Sequence, residues 1–157
     1  MARGLRPLST DPAADLDILF RRAVFAWLIA DGDMHLKNLA LLKTADPGAK
    51  TFTSVRFAPL YDAITTRVYP GLAGDRMALK LNGKDDRLSV QDFLALARTT
   101  GLPAGETEAT VAELAARLAA RAGSLRLPEF AGRSENARTM QDKVIAIVSE
   151  RSAGFAR

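Results

Sequence analysis

Apolar residues recur at helical spacing through Leu16, Leu19, Ala23, Trp27 and Ala30, which predicts a first long helix. Asp11 followed by Pro12 supplies its start: a side chain able to cap free amides, then a residue whose φ is already helical. From Ala23 to Ala30 the pattern is apolar nearly all round, so this end of the helix is expected to be buried. Gly32 then offers a left-handed exit. Leu39 to Thr44 is short enough for a strand, and Thr51 to Ala58 is rich in β-branched and aromatic residues. Pro47-Gly48 between them suits a type II turn. The pattern therefore predicts a hairpin, which would bring the chain after Ala58 back beside Asn38.

Further on, Tyr69-Pro70-Gly71 and Ala73-Gly74-Asp75 are turn signals. Met77, Leu79 and Leu81 alternate with Ala78 and Lys80, predicting a short strand ended by Asn82-Gly83. Ser89 to Asp92 reads as a capping box with Asp in place of Glu, opening a helix that stops at Gly101-Leu102-Pro103. A further helix is expected from about Gly105 to Ala122, with Val111, Leu114, Ala115, Leu118 and Ala122 on one face. Ser134 caps a last one, with Met140, Val144, Ile147 and Val148 together. These later helices read as scaffold. Residues 1–10 predict a flexible arm, and residues 11–157 a single domain.

Composition narrows the classes. The chain has 157 residues, 48% hydrophobic and 25% charged, enough to bury a core without staples. It has no cysteine, which excludes disulfides, iron–sulfur clusters and thiolate zinc sites. The start is not a signal peptide and no stretch is long enough to span a membrane, so a cytoplasmic location is expected. The net charge of +4 is mild and its basic residues are scattered. They form no basic block with interleaved aromatics, so direct nucleic-acid binding is not predicted.

The chemistry concentrates in residues 29–38 and at Tyr61-Asp62. Asp33 and Asn38 stand five residues apart, the D-x-x-x-x-N spacing of a kinase catalytic loop. Phosphoryl transfer needs a carboxylate to take the acceptor proton and oxygen ligands for a hard cation. Asp33, Asn38 and Asp62 supply those groups.

Gly32-Asp33-Met34-His35-Leu36-Lys37-Asn38, the hairpin, and Pro59-Leu60-Tyr61-Asp62 together resemble the C-terminal part of HipA-type bacterial serine/threonine kinases. Met77 to Lys84 also resembles a segment of that family, and the similarity runs from about Arg22 to Ala120. The resemblance implies an α+β fold: a mainly helical, kinase-like C-lobe whose β-hairpin carries the site. It implies ATP and Mg²⁺ as cofactors. Asp33 would be the catalytic base, Asn38 and Asp62 the Mg²⁺ ligands, and His35, Leu36, Lys37, Asn38, Tyr61 and Asp62 would lie against the nucleotide. It also implies a protein serine or threonine substrate and a helix-turn-helix antitoxin partner.

Plainer readings stand beside these. Asp33 could satisfy a tight turn, and Asn38 could bridge the loop to backbone. His35 is the only histidine, and a lone histidine is more often structural. Lys37 is either a solvated charge or a phosphate contact. Tyr61 and Trp27, from their apolar neighbours, read as core. Asp31 is expected to face water, and Lys80 and Lys84 to form a solvated strand face.

Two other functions remain open. Asp31, Asp33, His35 and Asp62 could build a divalent-metal hydrolase site, although the neutral oxygen of Asn38 suits a Mg²⁺–nucleotide better. A kinase-derived binding or regulatory module is the other. Before the loop there is no G-x-G-x-x-G, the first lysine is Lys37 itself, and the first glutamate is Glu106. The nucleotide-covering lobe has no sequence here to form from. That predicts a truncated gene product, a fragment, or a subunit that works beside a separate N-lobe chain.

Overall fold

The computed structural model describes residues 2–132 and 134–155. Its organising helix is α2, Pro12–Leu28, preceded by a single helical turn, α1, Ala2–Leu5. Asp11 caps α2 by accepting the Ala14 N–H at 3.2 Å, with Pro12 in the first turn. Leu16, Leu19, Ala23, Trp27 and Ala30 are all buried, as their spacing predicts. The helix ends in a Schellman arrangement: the Asp31 N–H reaches the Ala26 carbonyl and the Ala30 N–H reaches that of Trp27. Its left-handed residue is Ala30, at φ 57°, and not Gly32 as the sequence suggested.

The chain then makes a 3₁₀ turn, Leu36–Asn38, and an antiparallel hairpin of β1, Leu41–Thr44, and β2, Ser54–Phe57. Leu41 pairs with Phe57 and Thr44 with Ser54. Pro47-Gly48 forms the expected turn, closed by the Ala49 N–H on Asp46 O, with Gly48 at φ 82°. A second 3₁₀ turn, Thr66–Val68, follows. The alternation at Met77–Leu81 does not become a strand. Met77 and Leu81 both turn into the core, and the segment closes on itself through a lone bridge between Leu81 and Lys84 around Asn82-Gly83. A strand needs a neighbour to pair with, and the two-stranded sheet does not extend to it.

Three helices complete the body: α3, Val90–Thr100; α4, Ala104–Ala122; and α5, Glu135–Ala153. The Ser89–Asp92 capping box is present, and Gly101 closes α3 at φ 76°. Ser134 caps α5 through the Ala137 N–H. The main core joins α2, α3 and α4 around Phe93, which is fully buried and meets Phe20 and Phe155 edge-on, with ring centres 6.4 and 5.7 Å away. Arg151 of α5 stacks 3.9 Å over the Trp27 ring and donates to the Trp27 carbonyl. Burial and the nearby Arg67 cation lower its pKa to about 10. α5 is thereby clamped to the end of α2 from which the loop of residues 29–38 leaves.

Most of residues 2–10 are exposed, and the segment touches the rest of the chain at a few points. Leu5 is buried against Leu16 and Leu19, Arg6 donates to Thr100 O, and the Thr10 N–H joins Val55 O. Asp15, with no exposed surface, anchors this corner by accepting from Ser9 at 2.6 Å and Arg56 at 3.0 Å. Burial alone would raise its pKa. The bonds from Ser9, the Phe57 backbone and Arg56 outweigh that and hold it below the ordinary carboxylate range. The unfolded chain therefore binds this proton more readily than the native state does. The stabilisation is complete above the unfolded value, about 3.9, and is lost as pH falls through the lower native value. Asp15→Asn is expected to cost about 2 kcal/mol at neutral pH, because Arg56 is part-exposed and recovers water. It should also flatten the acid side of the stability–pH profile in urea unfolding. An unchanged acid side would mean that Asp15 does not carry that proton linkage.

Candidate functional site

The loop between α2 and β1 alternates inward and outward residues. Asp31, Met34 and Asn38 are buried, whereas Leu36 and Lys37 are exposed. Met34 turns into the main core and fixes the middle of the loop. Asp33 is thereby left half-exposed, with one carboxylate oxygen 3.8 Å from His35 Nε2. The Asn38 N–H donates to His35 O at 3.0 Å, closing the 3₁₀ turn and joining these residues through the backbone.

The hairpin returns the chain as its pattern implied. Asn38 Nδ2 donates to Asp62 Oδ2 at 2.9 Å, across 24 residues of sequence. Asp62 is exposed and sits at φ 53°, a left-handed conformation that aspartate tolerates better than most side chains. Tyr61 donates its hydroxyl to Lys37 O at 2.7 Å and is 41% exposed. It is therefore not a core residue, contrary to the reading from its apolar neighbours. It ties the Asp62 segment to the loop from outside. Trp27 is core, as expected.

Two buried ionisable groups shape this region. Arg22 lies on the inward stripe of α2, between Leu19 and Ala26, and is 7% exposed. It donates to Ala58 O and stacks 4.6 Å over Phe57, holding the end of β2 to the helix just before the chain turns to Asp62. Burial lowers its pKa against the raising influence of Tyr61 and Asp15. A cation on an apolar stripe is the sequence signal that would have found it.

Asp31, expected to face water, is instead 3% exposed. Burial raises its pKa, and the Asp33 charge adds to the rise. Backbone N–H groups of Asp33, Ile64 and Met34 oppose it. An aspartate two residues before a turn amide is an Asx-turn signal, and it was legible.

The metal-hydrolase alternative does not assemble. Among the described residues no group of three or more His, Asp or Glu side chains is placed to hold a metal ion. Asp31, which that site required, points into the protein. The pair of Asn38 and Asp62 is a different donor set. Asn38 Oδ1 is buried with no hydrogen-bond partner among the described residues, and Asp62 presents an exposed carboxylate. An orphaned amide oxygen beside a carboxylate has the hard-oxygen chemistry that suits Mg²⁺. Beside the loop, an apolar groove of about 190 Å³ runs between α1, Leu36 and the hairpin, lined by Leu5, Leu8, Leu39 and Phe57. Among the described residues no helix is long and apolar enough to cross a membrane.

Residues 1–122 match the family model described as the HipA-like C-terminal domain. Y4mE of Sinorhizobium fredii, a protein named as a kinase candidate, is 36% identical over 88 residues, which is 56% of this chain and 19% of that protein. Among solved structures, the HipA–HipB toxin–antitoxin complex with operator DNA from Shewanella oneidensis MR-1 superposes with a TM-score of 0.77 at 18% identity, covering 96% of this chain. The likeness is one of fold. The chain spans about a third of the length of that neighbour, at 34%.

Proposed function

Because this chain belongs to the HipA-like C-terminal domain family, we propose that it is the C-lobe of an ATP-dependent serine/threonine protein kinase of the toxin type, acting in the cytoplasm with a helix-turn-helix antitoxin as partner. The observation that carries the reading is the contact between Asn38 and Asp62, with the Asn38 amide oxygen left without a partner. Asn38 Oδ1 and the Asp62 carboxylate would hold Mg²⁺, which when bound neutralises phosphate charge. Asp33, half-exposed on the loop, orients the acceptor hydroxyl of a serine or threonine and takes its proton. His35 lies within 3.8 Å of that carboxylate and restricts where it can swing. Lys37, exposed beside Asn38, meets phosphate oxygens. Leu36 and the apolar groove beside it take the base, with Tyr61 closing the loop behind.

Phosphoryl transfer is mostly positioning and charge stabilisation, and both need the phosphates covered from two sides. The 157 residues supply one side. The chain by itself is therefore expected to bind nucleotide at about millimolar Kd, equivalent to about −4 kcal/mol, and to show no transfer to protein serine. The test is the purified chain with labelled ATP and Mg²⁺, with and without an N-terminal lobe supplied in trans. Activity only with the lobe supports the proposal. Activity of the chain alone, lost in Asp33→Asn, would show that one side suffices. No activity in either case would favour a non-catalytic module. In whichever assembly binds nucleotide, Asp62→Ala should weaken Mg²⁺–ATP binding by at least about tenfold in calorimetry, as loss of a hard-cation ligand requires. Unchanged affinity would remove Asp62 from the ligand set.

A further inference from the structure

Residues 59–64, the stretch that carries Asp62, are all exposed. No apolar burial holds them in place, and Pro59 brings no N–H to bond with. The stretch hangs instead between two feet. Downstream, Thr66 is 4% exposed and donates to Ala30 O twice, from its N–H at 3.2 Å and its hydroxyl at 3.1 Å. The same hydroxyl accepts the Gly32 N–H at 3.0 Å. A Cβ on Gly32 would fall 2.6 Å from it, so this foot is tight. Upstream, Ala58 closes the hairpin with its N–H on Ala40 O at 2.9 Å, and its carbonyl accepts Arg22 Nη2. The Arg22 guanidinium also lies 4.6 Å over the Phe57 ring.

Both feet stand on α2 or on the turn that ends it. A helix rises about 12 Å from residue 22 to residue 30. The chain from Ala58 to Thr66 could reach about 26 Å if extended. The span therefore has slack, and where its feet stand decides where Asp62 comes to lie. Asn38 meets the span through Nδ2, 2.9 Å from Asp62 Oδ2, and Lys37 O receives the Tyr61 hydroxyl at 2.7 Å. The downstream foot rests on main-chain atoms. The upstream foot rests on one side chain.

That side chain is costly. Arg22 is 7% exposed, and its Nη1 is buried with no hydrogen-bond partner among the described residues. An apolar residue on this stripe would avoid both the desolvated charge and the unpaired donor. What arginine adds is a donor long enough to reach Ala58 O. We propose that Arg22 is a positioning residue: by pinning Ala58 to α2 it fixes the upstream foot of the span and holds Asp62 against Asn38. What that contact serves rests on the kinase reading; the anchor itself does not.

Nuclear relaxation on the full chain tests the anchor without reference to activity. Arg22→Met keeps an unbranched stem and loses the donor and the charge. Backbone order parameters of residues 60–63 should fall below about 0.6, the range of a flexible segment. Residues 66–68 should stay rigid, because the bonds of Thr66 remain. The side-chain amide protons of Asn38 should exchange several-fold faster. Thermal stability should change little, since the buried charge and the unpaired Nη1 leave together. Arg22→Lys keeps a charged donor and should restore part of the order. Lower stability with residues 60–63 and Asn38 unchanged would make Arg22 a packing residue and overturn the anchor. Should Arg22→Met fail to fold, Phe57→Leu removes the ring beneath the guanidinium and keeps the strand apolar. It should loosen the same residues to a lesser degree, and unchanged motion there would equally overturn the anchor.

Mn²⁺ binding, read by paramagnetic broadening, tests what the anchor positions. Arg22→Met should weaken it several-fold, Arg22→Lys less, and Asp62→Asn should abolish it. Loss in Asp62→Asn with full affinity in Arg22→Met would overturn the positioning role. If the unaltered chain binds no Mn²⁺, the cation reading of Asn38 and Asp62 is what fails, and the relaxation and Asn38 exchange data still decide the anchor.

Discussion

Asp33→Asn is expected to lower phosphoryl transfer by about two to four powers of ten in the assembly where this chain is active, the usual worth of a positioned general base. The substitution keeps the side-chain size and leaves the backbone untouched. The Asp33 N–H still donates to Asp31, Met34 still fills the core, and Asn38 still meets Asp62. What disappears is the carboxylate proposed to accept the proton. Asparagine cannot accept it, so the acceptor hydroxyl must lose its proton to water. The side chain is 47% exposed, so its charge contributes little to folding. Thermal unfolding should accordingly be unchanged. Near-normal turnover with unchanged stability would remove Asp33 from the reaction and leave it as a turn residue.

The second large effect lies in the core. Phe93→Ala is expected to destabilise the chain by about 3–5 kcal/mol. Phe93 has no exposed surface and touches Phe20 from α2 and Phe155 from the chain end. It therefore joins three parts of the fold that are distant in sequence. Alanine removes the transfer free energy of the ring and two edge-to-face contacts, and leaves a cavity between rigid helices that cannot close over it. Domains of this size have only about 5–15 kcal/mol in total, so the variant should be marginal at physiological temperature. Urea unfolding measures it. A loss under about 1 kcal/mol would mean that α2 and α3 repack freely and that the loop they carry is less rigidly supported than these contacts imply.

These two residues differ in how visible they were beforehand. Asp33 stood out through its spacing from Asn38. Phe93 was one apolar residue among many, because its importance comes from Phe20 and Phe155, which no local pattern connects to it. Arg22 and Asp31 make the same contrast. Each carries a short-range hint, a cation on an apolar stripe and an aspartate before a turn amide. Yet their surroundings include segments that only the returned chain brings near, Phe57 and Ala58 at Arg22 and Thr66 beside the Asp31 turn.

The sequence by itself determined whatever depends on a few neighbouring residues. Asp11-Pro12, Ser89 with Asp92, and Ser134 start helices because a side chain reaches an amide three residues away. Pro47-Gly48 makes its turn because the two residues admit those angles and few others. Helical periodicity marked the inward face of α2 because one face of a helix must leave water. Tertiary structure decided the rest. It placed the left-handed residue at Ala30 and kept Gly32 for close approach. It denied Met77–Leu81 a partner strand, and it docked residues 2–10 through Leu5 and Arg6. It also set Asn38 against Asp62 and turned Asp31 inward. Each of these outcomes depends on which distant backbone groups and side chains compete for the same space and hydrogen bonds, and that competition exists only once the chain has closed on itself.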